Sequence, residues 1–248
     1  MSEFSFKIHH TGSTGNSATI TVGGLSFLID FGKSYKTIAN YMDGIDFVLC
    51  SHVHGDHLNI SAYKGIRQNY SHVQFITNQD VVNRLAEKGI TDLPQAVIKA
   101  EDVIYLGDVT IHVFDNVHGV ETNGYIFEYQ GEYLLFATDL STTIFYQEWL
   151  KEHNVKLDVC LLEANYDPEV IKFYEQTKAH TGYDVFSNGS FRHLPTTEHE
   201  LLTKNFVKEG GIIKELHTSA TYHDFKGLIR KSKGRITWED VNRWKEQN

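Results

Sequence analysis

A short histidine-rich segment constrains this chain more than any other part of its sequence. Three histidines and one aspartate fall within six residues, in the segment His52-Val53-His54-Gly55-Asp56-His57. It directly follows Phe47-Val48-Leu49-Cys50, a continuous apolar run that is typical of a buried strand. Imidazole nitrogens and carboxylate oxygens are ligands that zinc, manganese and iron accept, and residues two apart on an extended turn can face one space. The pattern predicts a divalent metal site, with two neighbouring ions served more easily than one, rather than a loop of solvated histidines.

Further polar side chains stand at the ends of other predicted strands or in loops between elements. An open metal centre draws its ligands from several elements, so these are the places where the remaining ligands are expected. Any one of these residues could be an ordinary polar side chain, but all of them occur in a chain that already holds the histidine segment. The four candidates are His118, Asp139, His193 and His217.

The composition is that of an ordinary folded globular protein, with 248 residues, of which 41% are hydrophobic and 22% charged. Cys50 and Cys160 each lie in an apolar run, so we expect two buried thiols and neither a disulfide nor a cysteine-based zinc site. Residues 1–7 lack the basic and apolar regions of a signal peptide, and no apolar stretch approaches the roughly 18 residues of a membrane span. We therefore expect a cytoplasmic protein with no membrane partner.

The charge of the chain is unevenly distributed. The formal net charge is −9, which disfavours contact with a long polyanion such as nucleic acid. Residues 221–248 carry seven basic and four acidic side chains, a local charge of +3, so the rest of the chain carries −12. This basic segment is more typical of a solvated surface than of a nucleic-acid site.

The order of predicted elements places strands in both halves of the chain, with helices between and after them. This order favours an α/β (α+β) fold in which two sheets pack face to face with helices outside, an αββα sandwich, over one doubly wound parallel sheet. Thr237 and Asp240 predict a capped C-terminal helix that contains Trp238 and Trp244. Strands are expected at 4–9, 18–22, 25–30, 46–51, 73–77, 96–100, 103–106, 109–114, 125–129, 132–136, 158–163 and 211–217, and the other helices at 79–88, 143–151, 168–177 and 197–208.

The candidate residues occur in an order that resembles the five motifs of the metallo-β-lactamase fold, over about residues 4–220. The loop Gly12–Ser17 and the later Arg192-His193-Leu194 are similar to one branch of that family. This branch holds RNase Z, the cyclic phosphodiesterase of phosphonate breakdown, bacterial WalJ-type exonucleases and phage anti-Pycsar phosphodiesterases. The motifs are carried by Asp30, the segment 52–57, His118, Asp139 and His217.

The resemblance implies a metallo-β-lactamase-like hydrolase domain over residues 1–220 that binds two divalent ions, zinc or alternatively manganese. Residues 221–248 would follow as a basic segment whose short helix packs on the same domain or on a partner subunit. One ion would be bound by His52, His54 and His118. The other ion would be bound by Asp56, His57 and His217.

The resemblance also implies roles for residues around the two ions. Asp139 would bridge them, and Asp30 would orient the histidine segment without binding an ion. His193 matches a histidine that binds no metal and lies beside the scissile phosphate, where an imidazolium can protonate the leaving oxygen. Asp56 is counted with His193 among the catalytic candidates.

These roles suit phosphodiester hydrolysis, because two ions roughly 3.5–4 Å apart acidify water and neutralise phosphate oxygens. The expected substrate is a small cyclic phosphodiester, above all a cyclic mononucleotide signal. Similarity to the anti-Pycsar group also implies a phage or bacterial enzyme, a homodimer, and the host cytoplasm if a phage encodes it. His118 and Asp139 are 21 residues apart, which leaves no room for the long arm that tRNA processing would require.

Two other functions stay open at this point. A WalJ-like 5′ exonuclease on DNA would need backbone contacts from the basic residues in 226–235. A metal-free interaction scaffold would keep the fold without the chemistry, although the full set of candidate ligands argues against it.

Several supporting residues also remain ambiguous in the sequence. Glu163, Asn165 or Asp167 could hold His193 in place, or all three could belong to a solvated loop. The loop Gly12–Ser17 could bind an anion through its backbone amides, or it could be a tight turn packed under the metal site. Three tyrosines could stack on a nucleobase but fit core or rim packing better: Tyr166, Tyr183 and Tyr222.

Overall fold

A computed structural model of the protein describes residues 2–177 and 190–248. Two six-stranded sheets pack face to face, and helices cover the outer face of each sheet. This arrangement confirms the predicted αββα sandwich. Tyr183, one of the three tyrosines considered for base stacking, lies outside the described residues.

The first sheet contains the first six strands in sequence order. Its first three strands are antiparallel, and the remaining strands run parallel to the third. The strands are β1 Ser5–His10, β2 Ser17–Val22, β3 Leu25–Ile29, β4 Phe47–Cys50, β5 Gln74–Thr77 and β6 Ala96–Val97.

The second sheet contains the last six strands, again in sequence order. The first four of these are antiparallel, and the last three run parallel to one another. The strands are β7 Val103–Leu106, β8 Val109–Asp115, β9 Asn123–Tyr129, β10 Glu132–Ala137, β11 Leu157–Glu163 and β12 Val207–Leu216.

Helices follow or connect the parallel strands of both sheets. In the part of the chain that the structure describes they are α1 Tyr35–Ile38, α2 Ile60–Asn69, α3 Gln79–Glu87, α4 Ile144–Glu152, α5 Pro168–Thr177, α6 Thr196–Phe206, α7 Phe225–Ser232 and α8 Trp238–Gln247. Two short 3-10 turns accompany them at Ala39–Tyr41 and Ser190–Arg192.

The core has three apolar layers, because successive side chains of a strand point to opposite faces of its sheet. Leu49 of β4 packs between the two sheets, in the same cluster as Phe127 of β9. Its neighbour Cys50 packs on the outer face, under the helices of the first sheet. Cys160 occupies the corresponding outer layer of the second sheet. Both cysteines are buried and free, as the sequence predicts.

Three helices were not predicted from the sequence, namely α1, α2 and α7. Helix α2 contains Gly65, which weakens helix propensity. The structure explains this glycine, because a Cβ at position 65 would lie 2.2 Å from the ring of Tyr35 in α1. The helix therefore depends on close packing between distant residues, which periodicity alone does not reveal.

The boundaries of several predicted elements also change, most of all around β6 and β12. Strand β6 ends at Val97 rather than at residue 100, because its partner β5 ends at Thr77. The helix expected over 197–208 ends at Phe206, since Val207 already pairs with Leu157. Strand β12 accordingly begins four residues earlier than predicted.

The C-terminal segment packs against α5 through a fourth apolar cluster. Phe173 of α5 contacts Phe225 of α7 and Trp244 of α8 edge-on, at ring-centroid distances of 5.6 and 5.5 Å. Thr237 and Asp240 form the predicted capping box at the start of α8. No helix within residues 2–177 and 190–248 is long and apolar enough to cross a bilayer.

The parallel strands place their carboxyl ends along one edge of the sandwich. In open parallel sheets this edge is where ligands bind, because loops from several strands converge there. Strands β3 and β4 of the first sheet end there opposite β10, β11 and β12 of the second. The candidate site residues follow these strands.

Removal of the α8 cap should measurably weaken the fold. We expect Thr237→Ala to lower the free energy of unfolding by about 1 kcal/mol, because one backbone N–H of the first turn loses its partner. Urea denaturation followed by circular dichroism measures this change. Glu239→Ala, one exposed position inside the same turn, is the matched control, and an equal loss in both variants would contradict the capping role.

Candidate metal centre

Three site residues lie in left-handed backbone conformation just after parallel strands. Asp30, Asp139 and His217 have φ values of 59°, 57° and 49°. For a residue with a Cβ this conformation costs roughly 1–2 kcal/mol, and such strain collects at functional sites. It turns each side chain from the end of its strand towards the common edge.

The first group of candidate ligands consists of three histidines whose ring nitrogens lie within 4.8 Å of one another. His52 and His54 leave β4 on the extended turn that the sequence predicts, with His52 Nε2 3.0 Å from His54 Nδ1. His118 enters from the loop between β8 and β9 of the other sheet, with its ring centroid 5.2 Å from that of His54. The two sheets together thus build a three-nitrogen site.

The second group combines one carboxylate with two imidazoles, also within 4.8 Å. Asp56 Oδ2 lies 3.7 Å from His57 Nε2 and 3.8 Å from His217 Nε2. His57 ends the histidine segment, whereas His217 follows β12 at the far side of the second sheet. This is a second potential ligand set, made of one oxygen and two nitrogens.

Asp139 lies between the two groups. Its Oδ1 is 3.6 Å from His118 Nε2 and 3.8 Å from His217 Nε2, and its Oδ2 is 3.0 Å from His57 Nε2. Its carboxylate therefore faces nitrogens of both groups, as a bridging ligand must. The structure brings all seven predicted ligands to one place.

Two of the imidazoles that face the centre, those of His57 and His118, are held through their Nδ1 nitrogens. His57 Nδ1 donates to Asp30 Oδ2 at 2.7 Å, and Asp30 in turn accepts from the backbone and hydroxyl of Ser51. His118 Nδ1 donates to the carbonyl of Arg192 at 3.1 Å. Such contacts fix the tautomer, so Nε2 of these two rings is the nitrogen left for a metal. Asp30 has the position that the family resemblance implies for it.

Two buried atoms of the centre make no well-directed hydrogen bond within the described residues: His217 Nε2, and Asp139 Oδ2 although it lies 3.0 Å from His57 Nε2. Buried polar atoms almost always have a partner, because an unpaired one costs roughly 1–3 kcal/mol. Both atoms face the space between the two ligand groups, where a cation would satisfy them. The nitrogen and oxygen donors therefore fit a pair of divalent ions.

The pKa values of the ligands indicate strong electrostatic coupling. Burial and the neighbouring His57 hold the pKa of His52 well below its usual range, so His52 is neutral. Burial also opposes protonation of His217, but Asp139 and two further carboxylates outweigh it and raise the pKa of His217 to about 10. A cation at the second group would thus replace a proton on His217, which is how metal binding is coupled to proton release.

His193 lies beside this centre and is held by Glu163. Its Nδ1 donates to Glu163 Oε1 at 2.8 Å, and Glu163, which is fully buried, also accepts from His217 Nδ1 at 3.2 Å. Burial would raise the pKa of Glu163, but hydrogen bonds from the two histidines outweigh burial and lower it, so Glu163 is an ionised carboxylate. Among the three candidates considered for this role, Glu163 is the one that contacts His193.

The two other candidates have different partners. Asn165 Nδ2 donates to the carbonyl of His217 at 2.7 Å and so supports a predicted ligand. Asp167 accepts from the backbone of Glu169 at the start of α5. Tyr166 and Tyr222 belong to the apolar cluster beneath the C-terminal segment, in agreement with a packing role.

The loop Gly12–Ser17 is tied to the histidine segment through Asn16, whose role the sequence did not indicate. The Asn16 backbone donates to Asp56 O at 2.6 Å, and its Nδ2 lies 2.8 Å from His57 Nε2. Asn16 Oδ1 also accepts from the backbone of Gly12. The loop therefore packs against the candidate metal centre, as the second of its two predicted possibilities requires.

Gly32, a second residue without a sequence signal, packs directly against the histidine segment. A Cβ at this position would lie 1.7 Å from the carbonyl oxygen of Asp56. Gly55, inside the segment, lies in a turn but has open space around its missing Cβ and no left-handed backbone. The glycine that the segment requires is Gly32.

Comparison with known proteins places this site in a family. Residues 28–184 match the model of the beta-lactamase superfamily domain, which is more than half of the chain. The chain belongs to this superfamily. The fold and the strand-end position of its candidate metal centre agree with the resemblance found in the sequence.

Curated relatives of this superfamily member include two bacterial proteins named "Probable L-ascorbate-6-phosphate lactonase UlaG". The proteins from Salmonella heidelberg (strain SL476) and Escherichia coli (strain SMS-3-5 / SECEC) are each 24% identical over 221 residues, which cover 78% of this chain. The match spans 60% of the length of these relatives.

Solved structures of the same fold include YhfI, a metallo-β-lactamase fold protein from Bacillus subtilis. It has a TM-score of 0.66 at 16% identity and covers 94% of this chain and 93% of its own. A diphosphatase of the PhnP family has a TM-score of 0.63 at 16% identity, covering 90% and 87%. The short form of human tRNase Z has a TM-score of 0.61 at 13% identity, covering 86% and 92%. These similarities establish the metallo-β-lactamase fold.

A substitution at Gly32 tests how the protein holds its histidine segment. We expect Gly32→Ala to displace the histidine segment and lose at least half of the bound metal, because the added methyl group collides with the backbone of Asp56. Elemental analysis of the purified protein measures the metal content. Gly55→Ala is the matched control and should keep its metal, so equal metal content in both variants would refute the packing role of Gly32.

Proposed function

We propose that the protein is a metal-dependent phosphodiesterase that hydrolyses small cyclic phosphodiesters, with cyclic mononucleotide signals as the first candidates. The observation that carries this proposal is the placement of His193 next to seven potential ligands, with its Nδ1 held by a buried carboxylate. A hydrolase that leaves an alkoxide on its product needs a proton donor at this position.

His193 can supply that proton. Because Glu163 accepts from Nδ1, this nitrogen carries hydrogen, and Nε2 is free to exchange a proton with a substrate. The side chain remains partly exposed, with 19% of its surface accessible, whereas Glu163 is inaccessible. Glu163 is thus a positioning residue that orients the His193 ring.

The ligand residues would bring the phosphodiester next to His193. The proposed ligands are His52, His54 and His118 for one ion and Asp56, His57 and His217 for the other, with Asp139 shared between them. When bound, such a pair of ions supplies positive charge for the phosphate oxygens and acidifies the attacking water. Asp30 and Glu163 keep the ligand imidazoles in the orientation that this arrangement requires.

The orientation of the rings favours His193 as a proton donor over a third metal site. Glu163, His193 and His217 also lie close enough to hold an ion. However, the atoms that face Glu163 are the Nδ1 nitrogens of both histidines, at hydrogen-bonding distances. A carboxylate between two N–H groups is already satisfied, so these three residues form a hydrogen-bonded set.

Two features of the chain support a small substrate. The interval between His118 and Asp139 is filled by the short hairpin of β9 and β10, with no added arm for a large RNA. The net charge of −9 also disfavours long nucleic acids. One solved structure of the same fold is named a diphosphatase. The curated relatives are named lactonases for L-ascorbate-6-phosphate, which is a small phosphorylated compound.

The proposal keeps the other expectations drawn from the family resemblance. Zinc is the first candidate metal and manganese the second, and we infer a homodimer in the cytoplasm, or in the host cytoplasm if a phage encodes the chain. Degradation of DNA from its 5′ end is the alternative function. The basic residues in 226–235 would then contact the backbone, and labelled DNA is therefore included in the test below.

Two variants separate metal binding from proton donation. We expect His54→Ala to lose metal and turnover together, because one of three nitrogens of the first group disappears. His193→Ala should keep its metal and lose about 10²–10⁴-fold in kcat, the usual contribution of a general acid. The control is His72→Ala, an exposed histidine away from the centre. Loss of metal to the same extent in the first two variants would contradict these separate roles.

The substrate class is tested by direct comparison. We expect the metal-loaded protein to open the ring of cyclic nucleotides and to leave labelled single- and double-stranded DNA intact. Chromatography of nucleotide products and gel analysis of DNA measure the two reactions. Progressive shortening of DNA with survival of all cyclic nucleotides would replace the proposed function by the exonuclease.

A further inference from the structure

A pocket of about 650 Å³ opens directly beside the candidate metal centre. His193 and His217 form its inner wall, the loop residues 11–14 form one side, and residues 218–222 form another. Lys231 and Lys233, at the end of α7, complete it. We call this cavity the lysine pocket. Its volume is in the range of sites that bind small molecules.

The lysine pocket is positive in a protein that is negative overall. The chain carries 32 acidic and 23 basic residues, yet neither Asp nor Glu is among the described residues that line the pocket. Within the described chain, Lys231 and Lys233 form no ion pair. Ser13, Thr218 and Thr221 line the same pocket, and their hydroxyl groups are further possible donors. Ammonium and hydroxyl donors without a counter-anion are the chemistry of an anion site.

The backbone conformation of Lys233 is a second observation in favour of an anion site. It has left-handed backbone conformation, with φ 53°, at the end of α7, where glycine or asparagine is usual. The helix dipole favours a cationic side chain in the last helical turn, and this accounts for Lys231. It does not account for Lys233, which follows the last residue of α7. The strained conformation places a second lysine on the pocket wall.

The base of α7 makes this wall rigid. Phe225 and Leu228 are buried in the cluster that α7 forms with α5 and α8. Arg230 donates to the carbonyl of Ala220 at 3.2 Å and so ties the helix to the opposite side of the pocket. Side chains on such supported elements can bind a ligand with little loss of backbone freedom.

We propose that the lysine pocket binds a phosphate monoester that the substrate carries in addition to the bond cut at the metal centre. Near neutral pH a phosphate monoester carries about −1.5 to −2 charges and three acceptor oxygens, which match two ammonium groups and several hydroxyls. This inference rests on the proposed function and narrows it. A 3′,5′-cyclic mononucleotide has one phosphate, so the pocket favours cyclic phosphodiesters that bear a second phosphate.

A matched pair of substrates tests this inference. Adenosine 2′,3′-cyclic phosphate and its 5′-phosphorylated form differ only in the second phosphate. We expect the wild-type protein to hydrolyse the phosphorylated compound with at least tenfold higher kcat/KM. The double variant Lys231→Gln/Lys233→Gln should lose this preference and keep its rate on the other compound. The control Lys226→Gln/Arg243→Gln removes the same charge from the same segment outside the pocket and should keep the preference.

Binding provides a readout that does not depend on hydrolysis. Calorimetry with adenosine 5′-monophosphate and with adenosine measures what the phosphate adds to affinity in each metal-loaded protein. We expect the lysine variant to bind the monophosphate about tenfold more weakly than the wild type and the control variant do, with no change for adenosine. Equal weakening in both double variants would mean that general charge attracts the ligand and would overturn the inference.

The outcomes distinguish the two proposals. If the wild type hydrolyses both cyclic compounds equally well and the lysine variant binds the monophosphate normally, the lysine pocket proposal is wrong and the phosphodiesterase stands. If neither compound nor any 3′,5′-cyclic nucleotide is hydrolysed, the proposed function fails, and the calorimetric comparison alone decides whether the pocket binds a phosphate.

Discussion

The candidate site depends on the buried carboxylate of Asp139. A carboxylate with 3% of its surface accessible is stable only if positive or donor groups compensate its charge. Burial would raise its pKa, but His57 and His217 outweigh burial and hold the pKa well below its usual range. Protonated His57 and His217 therefore balance the negative charge of Asp139, as bound cations would. A pair of divalent ions would satisfy the same carboxylate and also the buried Nε2 of His217.

The sandwich makes this concentration of polar groups possible. Each sheet contributes parallel strands that end at the same edge, so residues far apart in sequence meet without long loops. Buried carboxylates behind the rings, Asp30 in one sheet and Glu163 in the other, fix the imidazoles by hydrogen bonds. The left-handed residues at strand ends cost stability, which the large apolar layers of the two sheets offset.

The sequence predicts the fold class and the neighbourhood of the ligands because both are encoded locally. Alternating and continuous apolar runs mark strands, and the ligands of the histidine segment are close neighbours along the chain. Helix α2 could not be foreseen, since Gly65 is explained only by its contact with Tyr35. Gly32 and Asn16 support the histidine segment through distant backbone contacts, for which a single sequence carries no signal. The sequence likewise could not show that Glu163, rather than Asn165 or Asp167, holds His193. This depends on the register in which β11 pairs with β12.

The most direct test of the metal centre is anomalous X-ray diffraction from crystals of the protein loaded with zinc or manganese. We predict two anomalous peaks per chain, one among His52, His54 and His118, the other among Asp56, His57 and His217. Asp139 should lie within coordination distance of both peaks. A single peak, peaks outside these two groups, or a loaded protein that shows none would contradict a two-ion centre.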